Sequence, residues 1–208
     1  PPNPRTLHTV PVASVATGFP HGLIPHDLKL AEIRSAVQDG AKEIDIVIAR
    51  SHVLTGNYEA LYSEVRDMRE ACGESHLKAI LATGNLSSYE QVYKASLVCM
   101  MAGADFIKTS TGMEGTNATL PVGLVMCRAI REYHDRTGYM VGFKPAGGIR
   151  TGKDALTWLM LIKEELGVAW LSNEYFRIGA SSLLTDIERQ LHHQATGQYA
   201  SANHMSMS

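Results

Sequence analysis

Two hydrophobic rhythms alternate along this chain. Short apolar runs, most of them rich in β-branched residues, are each followed by turn signals: Val10 to Ala16, Glu43 to Ile48, Leu77 to Leu81, Phe106-Ile107 ahead of Lys108, Val141 to Lys144, and Phe176 to Gly179. Between them, apolar positions fall three or four apart, as in Leu28, Leu30, Ile33 and Val37, or in Leu61, Val65 and Met68. The first pattern predicts strands and the second predicts amphipathic helices. Helices are expected to stop at Asp39-Gly40 and to cover Asn57 to Ala71, Ser88 to Met101, Leu120 to Tyr133, Thr151 to Leu166 and Ser181 to His193. Ser87 or Ser88 is suited to cap the third of these, and Pro121 to the first turn of the fourth.

Strand and helix thus alternate six times, with a repeat of about thirty residues, the length of a βα unit. Runs apolar on both faces predict a parallel sheet covered by helices. No GxGxxG follows the first strand, and the candidate chemistry is spread over several strand ends. That favours a TIM (β/α)8 barrel over an open doubly wound sheet. Only six units can be counted. The expected organisation is a single (β/α) barrel domain over 1–196 lacking the first two βα units, with a loop-like start at Pro1 to Arg5 and a polar tail over 197–208.

Composition narrows the function classes. The 208 residues fit one domain with a substantial core, and 45% hydrophobic with 19% charged residues is ordinary for a soluble globular protein. A net charge of −2 without any Lys/Arg run argues against a nucleic-acid partner. No apolar run approaches membrane-spanning length and no signal peptide opens the chain, so no membrane partner is expected. Cys72, Cys99 and Cys127 form no CxxC pair and fall within helical patterns, as reduced core thiols of a cytoplasmic protein do.

The chemistry centres on two lysines. Lys108 and Lys144 each end an apolar run and each precede a turn containing glycine, Thr109 to Gly112 and Pro145 to Gly148. Either alone could snorkel to solvent. Two in adjacent βα units would face each other across a barrel mouth, and at ~6 Å and an effective dielectric of about 20 their repulsion is about 3 kcal/mol. Burial adds to that, and an amine neutralised in this way attacks carbonyls to form a Schiff base. Asp45, between Ile44 and Ile46, needs a partner for its carboxylate. It is either in a structural ion pair or in the barrel mouth, holding a lysine charged and relaying protons. Glu43 is the less favoured of the two carboxylates, on the reading that its side chain lies one residue away and so on the other face of the strand. Gly147-Gly148 and Gly179-Ala180-Ser181-Ser182 each precede a helix, where backbone N–H groups suit a phosphate. His192-His193 is read as surface, His21 and His52 as loop residues, and Met100, Met101 and Trp158 as packing. No metal site is expected.

Lys108-Thr109-Ser110-Thr111-Gly112, Gly142 to Arg150 (GFKPAGGIR), Gly179 to Ser182 (GASS), Glu43 to Val47 and Asn117-Ala118-Thr119 together closely resemble the deoxyribose-phosphate aldolase family. The resemblance runs from about Val10 to the last helix. It implies a class I aldolase on a TIM barrel, free of cofactors, that cleaves 2-deoxy-D-ribose 5-phosphate to D-glyceraldehyde 3-phosphate and acetaldehyde. It further implies Lys108 as the Schiff-base lysine, Lys144 as the lysine that lowers its pKa, and Asp45 as part of the proton relay. The phosphate is expected at Gly112, Gly147, Gly148, Ser181 and Ser182. The expected partner is a small sugar phosphate, with a homo-oligomer possible. Two departures stand out: Met113 replaces the family's lysine, and the family's first two βα units have no counterpart. The alternatives are another Schiff-base sugar-phosphate aldolase, or an inactive protein that only binds the sugar phosphate.

Overall fold

Five parallel strands stand side by side in chain order, β1 (Ala13–Ala16), β2 (Glu43–Val47), β3 (His76–Ile80), β4 (Phe106–Lys108) and β5 (Gly142–Lys144). They belong to a computed structural model that describes residues 10–200. The expectations for Pro1 to Arg5 and for the end of the polar tail lie outside the described residues. Helices α1 (His26–Gln38), α2 (Arg50–Leu54), α3 (Tyr58–Cys72), α4 (Tyr89–Met101), α5 (Leu120–Thr137), α6 (Gly152–Leu166) and α7 (Leu183–Thr196) connect or follow the strands. Six of the helices and all five strands sit where the periodicity puts them, with ends shifted by about a turn or less; α7 runs past the expected His193 to Thr196, where the polar tail is expected to begin. The short α2 is not marked by the periodicity, and His52 lies on it rather than in a loop.

Polar residues mark where the helices start. Asn57 and Ser88 each accept a hydrogen bond from the backbone three residues on, which satisfies an N–H that the helix cannot. Thr151 and Asp154 form a reciprocal capping box on α6.

The sixth predicted strand pairs with β5 only at two isolated bridges, Phe143 with Phe176 and Ala146 with Gly179. The reason is Pro145. Phe143 N–H donates to the Tyr175 carbonyl, Arg177 N–H to Phe143, Gly179 N–H to Pro145 and Gly147 N–H to Gly179. The one missing rung of this parallel ladder is the bond that residue 145 would donate to the Arg177 carbonyl, and proline has no N–H to give.

Side-chain contacts show how strongly the sheet curls. In a flat sheet β2 and β5 would be three spacings apart, about 14 Å, and β2 and the sixth segment about 19 Å. Yet Lys144 Nζ lies 2.7 Å from Asp45, and an Arg177 Nη 3.1 Å from Glu43. The strands therefore form the wall of a (β/α) barrel, with these side chains on its concave side.

Alternation along the strands sorts the residues. Ile44, Ile46, Leu77, Ala79, Ile107 and Phe143 point outward into a core shared with Ile33, Leu61, Val65, Met68, Met126, Ile130, Trp158 and Ile162 of the helices. The expectation of strands apolar on both faces is corrected: the outer face is apolar, but the inner face carries Glu43, Asp45, Lys78, Lys108 and Lys144. Cys72, Cys99 and Cys127 are buried and unpaired. Burial pushes the Cys72 thiol up to about 11 and the other two higher, so these thiols are inert packing groups. Among the described residues no helix is long and apolar enough to cross a membrane.

Candidate active site

Because the strands are parallel, their C-terminal ends share one rim, and Lys108 and Lys144 are the last residues of β4 and β5. The register sets them directly opposite each other, as it sets Asp45 opposite Lys78. Lys108 Nζ and Lys144 Nζ each donate to the same carboxylate oxygen, Asp45 Oδ2, at 2.7 Å. Asp45 is only 2% exposed and Lys108 6%. The ion-pair reading of Asp45 is met by Lys78, whose Nζ donates to its other oxygen at 3.0 Å, and the same carboxylate also lies at the barrel mouth beside the two rim lysines.

Lys78 has no role in the sequence reading. It is fully buried, and its ammonium also pairs with Glu43 at 2.6 Å. A signal for it exists in the sequence: a lysine within an apolar run needs a buried anion, and the neighbouring strand offers two. Glu43 is corrected with it. It lies two residues from Asp45, and two steps along a strand return to the same face, so both carboxylates point into the barrel. Arg177 completes the cluster through Glu43 and lies over the Phe106 ring. Gly142 makes room for that ring, since a Cβ there would run into it.

Four cations thus surround two carboxylates. Burial would raise the Asp45 carboxyl, but the ammonium groups of Lys108, Lys144 and Lys78 outweigh it and hold the group well below the usual carboxylate range. Glu43 is likewise lowered, as its bonds to Lys78 and Arg177 outweigh burial. With positive charge in excess, one lysine is penalised. Burial lowers the pKa of Lys144, and the neighbouring ammoniums of Lys108 and Lys78 lower it further, against the pull of Asp45.

Above the lysines opens a cavity of about 350 Å³, small for a ligand pocket. Lys108, Lys144, Gly112, Met113, Gly147, Gly148, Arg150, Ser181 and Ser182 are among its lining residues. All five expected phosphate positions therefore meet the lysine pair in one place. The loops are tied to one another: Ser110 Oγ donates to the Ala146 carbonyl at 2.5 Å, and Ala146 N–H to Thr109 Oγ1 at 2.9 Å. Gly147, at φ +84°, passes so close to Asn117 that a Cβ there would lie 2.6 Å from its side chain.

The N–H groups are not equally available. Gly147 N–H is committed to the Gly179 carbonyl. The start of α6 is already filled, because Arg150 and Thr151 N–H donate to Asp154 and Gly152 N–H donates to Asp186. Gly112 N–H donates to Glu114 at 3.2 Å. Those of Gly148, Ser181 and Ser182 donate to nothing among the described residues. Geometrically the open cradle is the turn at Gly148 and the start of α7. The cavity can hold a small anion beside a pair of amines joined by a carboxylate.

The sequence profile of the DeoC/LacD family aldolases matches residues 14–185. The chain is 64% identical over 200 residues to the deoxyribose-phosphate aldolase of Mus musculus, an alignment covering 96% of this chain and 63% of that protein. It is 62% identical over 199 residues to the deoxyribose-phosphate aldolase of Homo sapiens, again with 96% and 63% covered. The chain therefore spans 63% of the length of these curated relatives. Among solved structures, the tetrameric deoxyribose phosphate aldolase from Aeropyrum pernix superimposes with a TM-score of 0.69 at 26% identity, covering 88% of this chain and 68% of that one.

Proposed function

This chain belongs to the DeoC/LacD aldolase family, and we propose that it carries the active site of a class I aldolase that cleaves 2-deoxy-D-ribose 5-phosphate to D-glyceraldehyde 3-phosphate and acetaldehyde. The observation that carries the reading is the single oxygen, Asp45 Oδ2, shared by Lys108 and Lys144 at the floor of the cavity.

In this mechanism the positive charge of Lys144 disfavours a second charge on Lys108, and Lys108 gives up its proton through Asp45. The freed Lys108 amine attacks the aldehyde carbon of the open-chain sugar, and loss of water leaves an iminium. The iminium then draws in the electron pair of the C2–C3 bond as the C3 hydroxyl loses its proton. Glyceraldehyde 3-phosphate departs, and an enamine stays on Lys108. Protonation of the enamine carbon and hydrolysis of the iminium release acetaldehyde and regenerate the amine. Asp45 and Lys144 move these protons. The phosphate sits at the rim among Gly112, Gly147, Gly148, Ser181 and Ser182, with the unengaged N–H groups of Gly148, Ser181 and Ser182 as its main donors.

Residues 10–196 form six units of a (β/α) barrel, supported by the curl of the sheet. The protein acts in the cytoplasm, and it self-associates, as the tetrameric relative from Aeropyrum pernix does. Borohydride reduction in the presence of acetaldehyde tests the core claim. The expected result is a mass increase that maps to the Lys108 peptide. Absence of any adduct would leave a protein that binds a sugar phosphate without turning it over.

A further inference from the structure

The loop after β4 binds an anion of its own. The Thr111 N–H donates to both oxygens of Glu114, at 3.0 and 3.1 Å, and the Gly112 N–H donates to one of them at 3.2 Å. Asn117 fixes the residue from behind, its Nδ2 donating to the Glu114 carbonyl at 3.0 Å, and Asn117 in turn packs on Gly147. Thr111 and Gly112 line the cavity above the lysines, so the Glu114 carboxylate holds the amides of two residues at the rim where a phosphate is expected.

We propose that Glu114 is a specificity-determining residue: its carboxylate occupies the Thr111 and Gly112 amides when the cavity is empty and competes with the phosphate of the substrate for them. This rests on the sugar-phosphate reading above. Both contestants are oxyanions, and backbone N–H groups hold either by charge-assisted hydrogen bonds. A phosphate dianion entering the rim must either displace the carboxylate or bind beside a like charge. No lysine offsets the repulsion at the next position, since residue 113 is a methionine. Glu114 therefore lowers affinity for every phosphorylated ligand, while a sugar without phosphate does not meet this competition.

The test is titration calorimetry of inorganic phosphate into the full chain and into Glu114→Ala and Glu114→Gln. Both variants should bind phosphate about tenfold more tightly, the scale of one charge-assisted hydrogen bond. The ratio of KM for 2-deoxyribose 5-phosphate to KM for 2-deoxyribose should fall by a similar factor. Glutamine keeps an acceptor for the two amides but removes the charge, so it separates competition from bracing. Unchanged phosphate affinity overturns the proposal, as does a weaker Ala variant beside a Gln variant that matches the parent, because Glu114 then only braces the loop. Acetaldehyde carries no phosphate, so its borohydride adduct reports on the lysine chemistry separately. Loss of that adduct counts against the aldolase reading and leaves the phosphate titration to decide the role of Glu114.

Discussion

Lys78 Nζ lies 3.0 Å from Asp45 Oδ1, the carboxylate oxygen that neither Lys108 nor Lys144 touches. Asp45 is thereby held from both sides, and the lysine holding it from behind has no access to the cavity. Lys78 orients Asp45, and Glu43 orients Lys78.

Removing one partner from such a cluster costs more than removing two. Lys78→Met leaves Glu43 with Arg177 alone and one oxygen of Asp45 without its donor, and should destabilise the protein by about 1–3 kcal/mol. Adding Glu43→Gln to Lys78→Met should restore part of that loss, measured as a double-mutant cycle of urea midpoints. Strict additivity would mean that Lys78 and Glu43 do not act together.

Lys144→Leu removes the neighbouring positive charge that is proposed to favour the free amine of Lys108. The rise of kcat/KM with pH should then move upward by about one unit or more. Lys108→Leu, by contrast, should abolish the borohydride adduct while leaving the circular dichroism spectrum in place. A profile that does not move in Lys144→Leu sinks the relay; an adduct that moves to Lys144 in Lys108→Leu reverses the roles.

Acid should weaken the fold through the same cluster. Asp45 and Glu43 have folded-state pKa values below their ordinary 3.8 and 4.5. Below those ordinary values the unfolded chain takes up protons before the folded one does. The stability they contribute is therefore complete above about pH 4.5 and is lost as pH falls toward their folded values. Asp45→Asn should be less stable near neutrality but lose less between about pH 5 and about pH 3. Equal slopes of urea midpoint against pH in the two proteins would exclude Asp45 as a source.

Met113 lines the cavity but is 73% exposed. Met113→Lys places a cation near the phosphate, and solvent screening limits its effect to about three- to tenfold. The expected outcome is a lower KM for 2-deoxyribose 5-phosphate relative to 2-deoxyribose. Parallel changes in both values would place residue 113 away from the phosphate.

Much of this arrangement is legible in the amino-acid sequence. Lys108 and Lys144 stand out because an ammonium at the end of an apolar run is costly, and the glycines beside them mark the rim. The alternating rhythms locate the βα units for the same reason: burial on one side of a strand or helix leaves a period in the sequence. What stays hidden depends on contacts across strands. Lys78 reads as one polar interruption in β3, because its partners come from β2. Glu43 is misread by a step in parity. Pro145 is visible, but its effect depends on the register with Arg177. Glu114 reads as an ordinary loop glutamate, because the amides it satisfies carry no mark in the sequence.

The missing rung at Pro145 divides the rim into two halves of unequal firmness. The half that holds the lysines is anchored by an unbroken ladder from β1 to β5. The half that presents Ser181 and Ser182 hangs from β5 by a ladder with a gap, steadied by the Arg177 grip on Glu43. Local opening should begin there, so amide hydrogen exchange across 176–182 should outpace exchange in β4 and β5. A phosphate held between Gly148 and Ser181 would span that gap from above. Bound ligand then does for the sixth segment what the proline cannot, and its arrival should be seen as slowed exchange across 176–182.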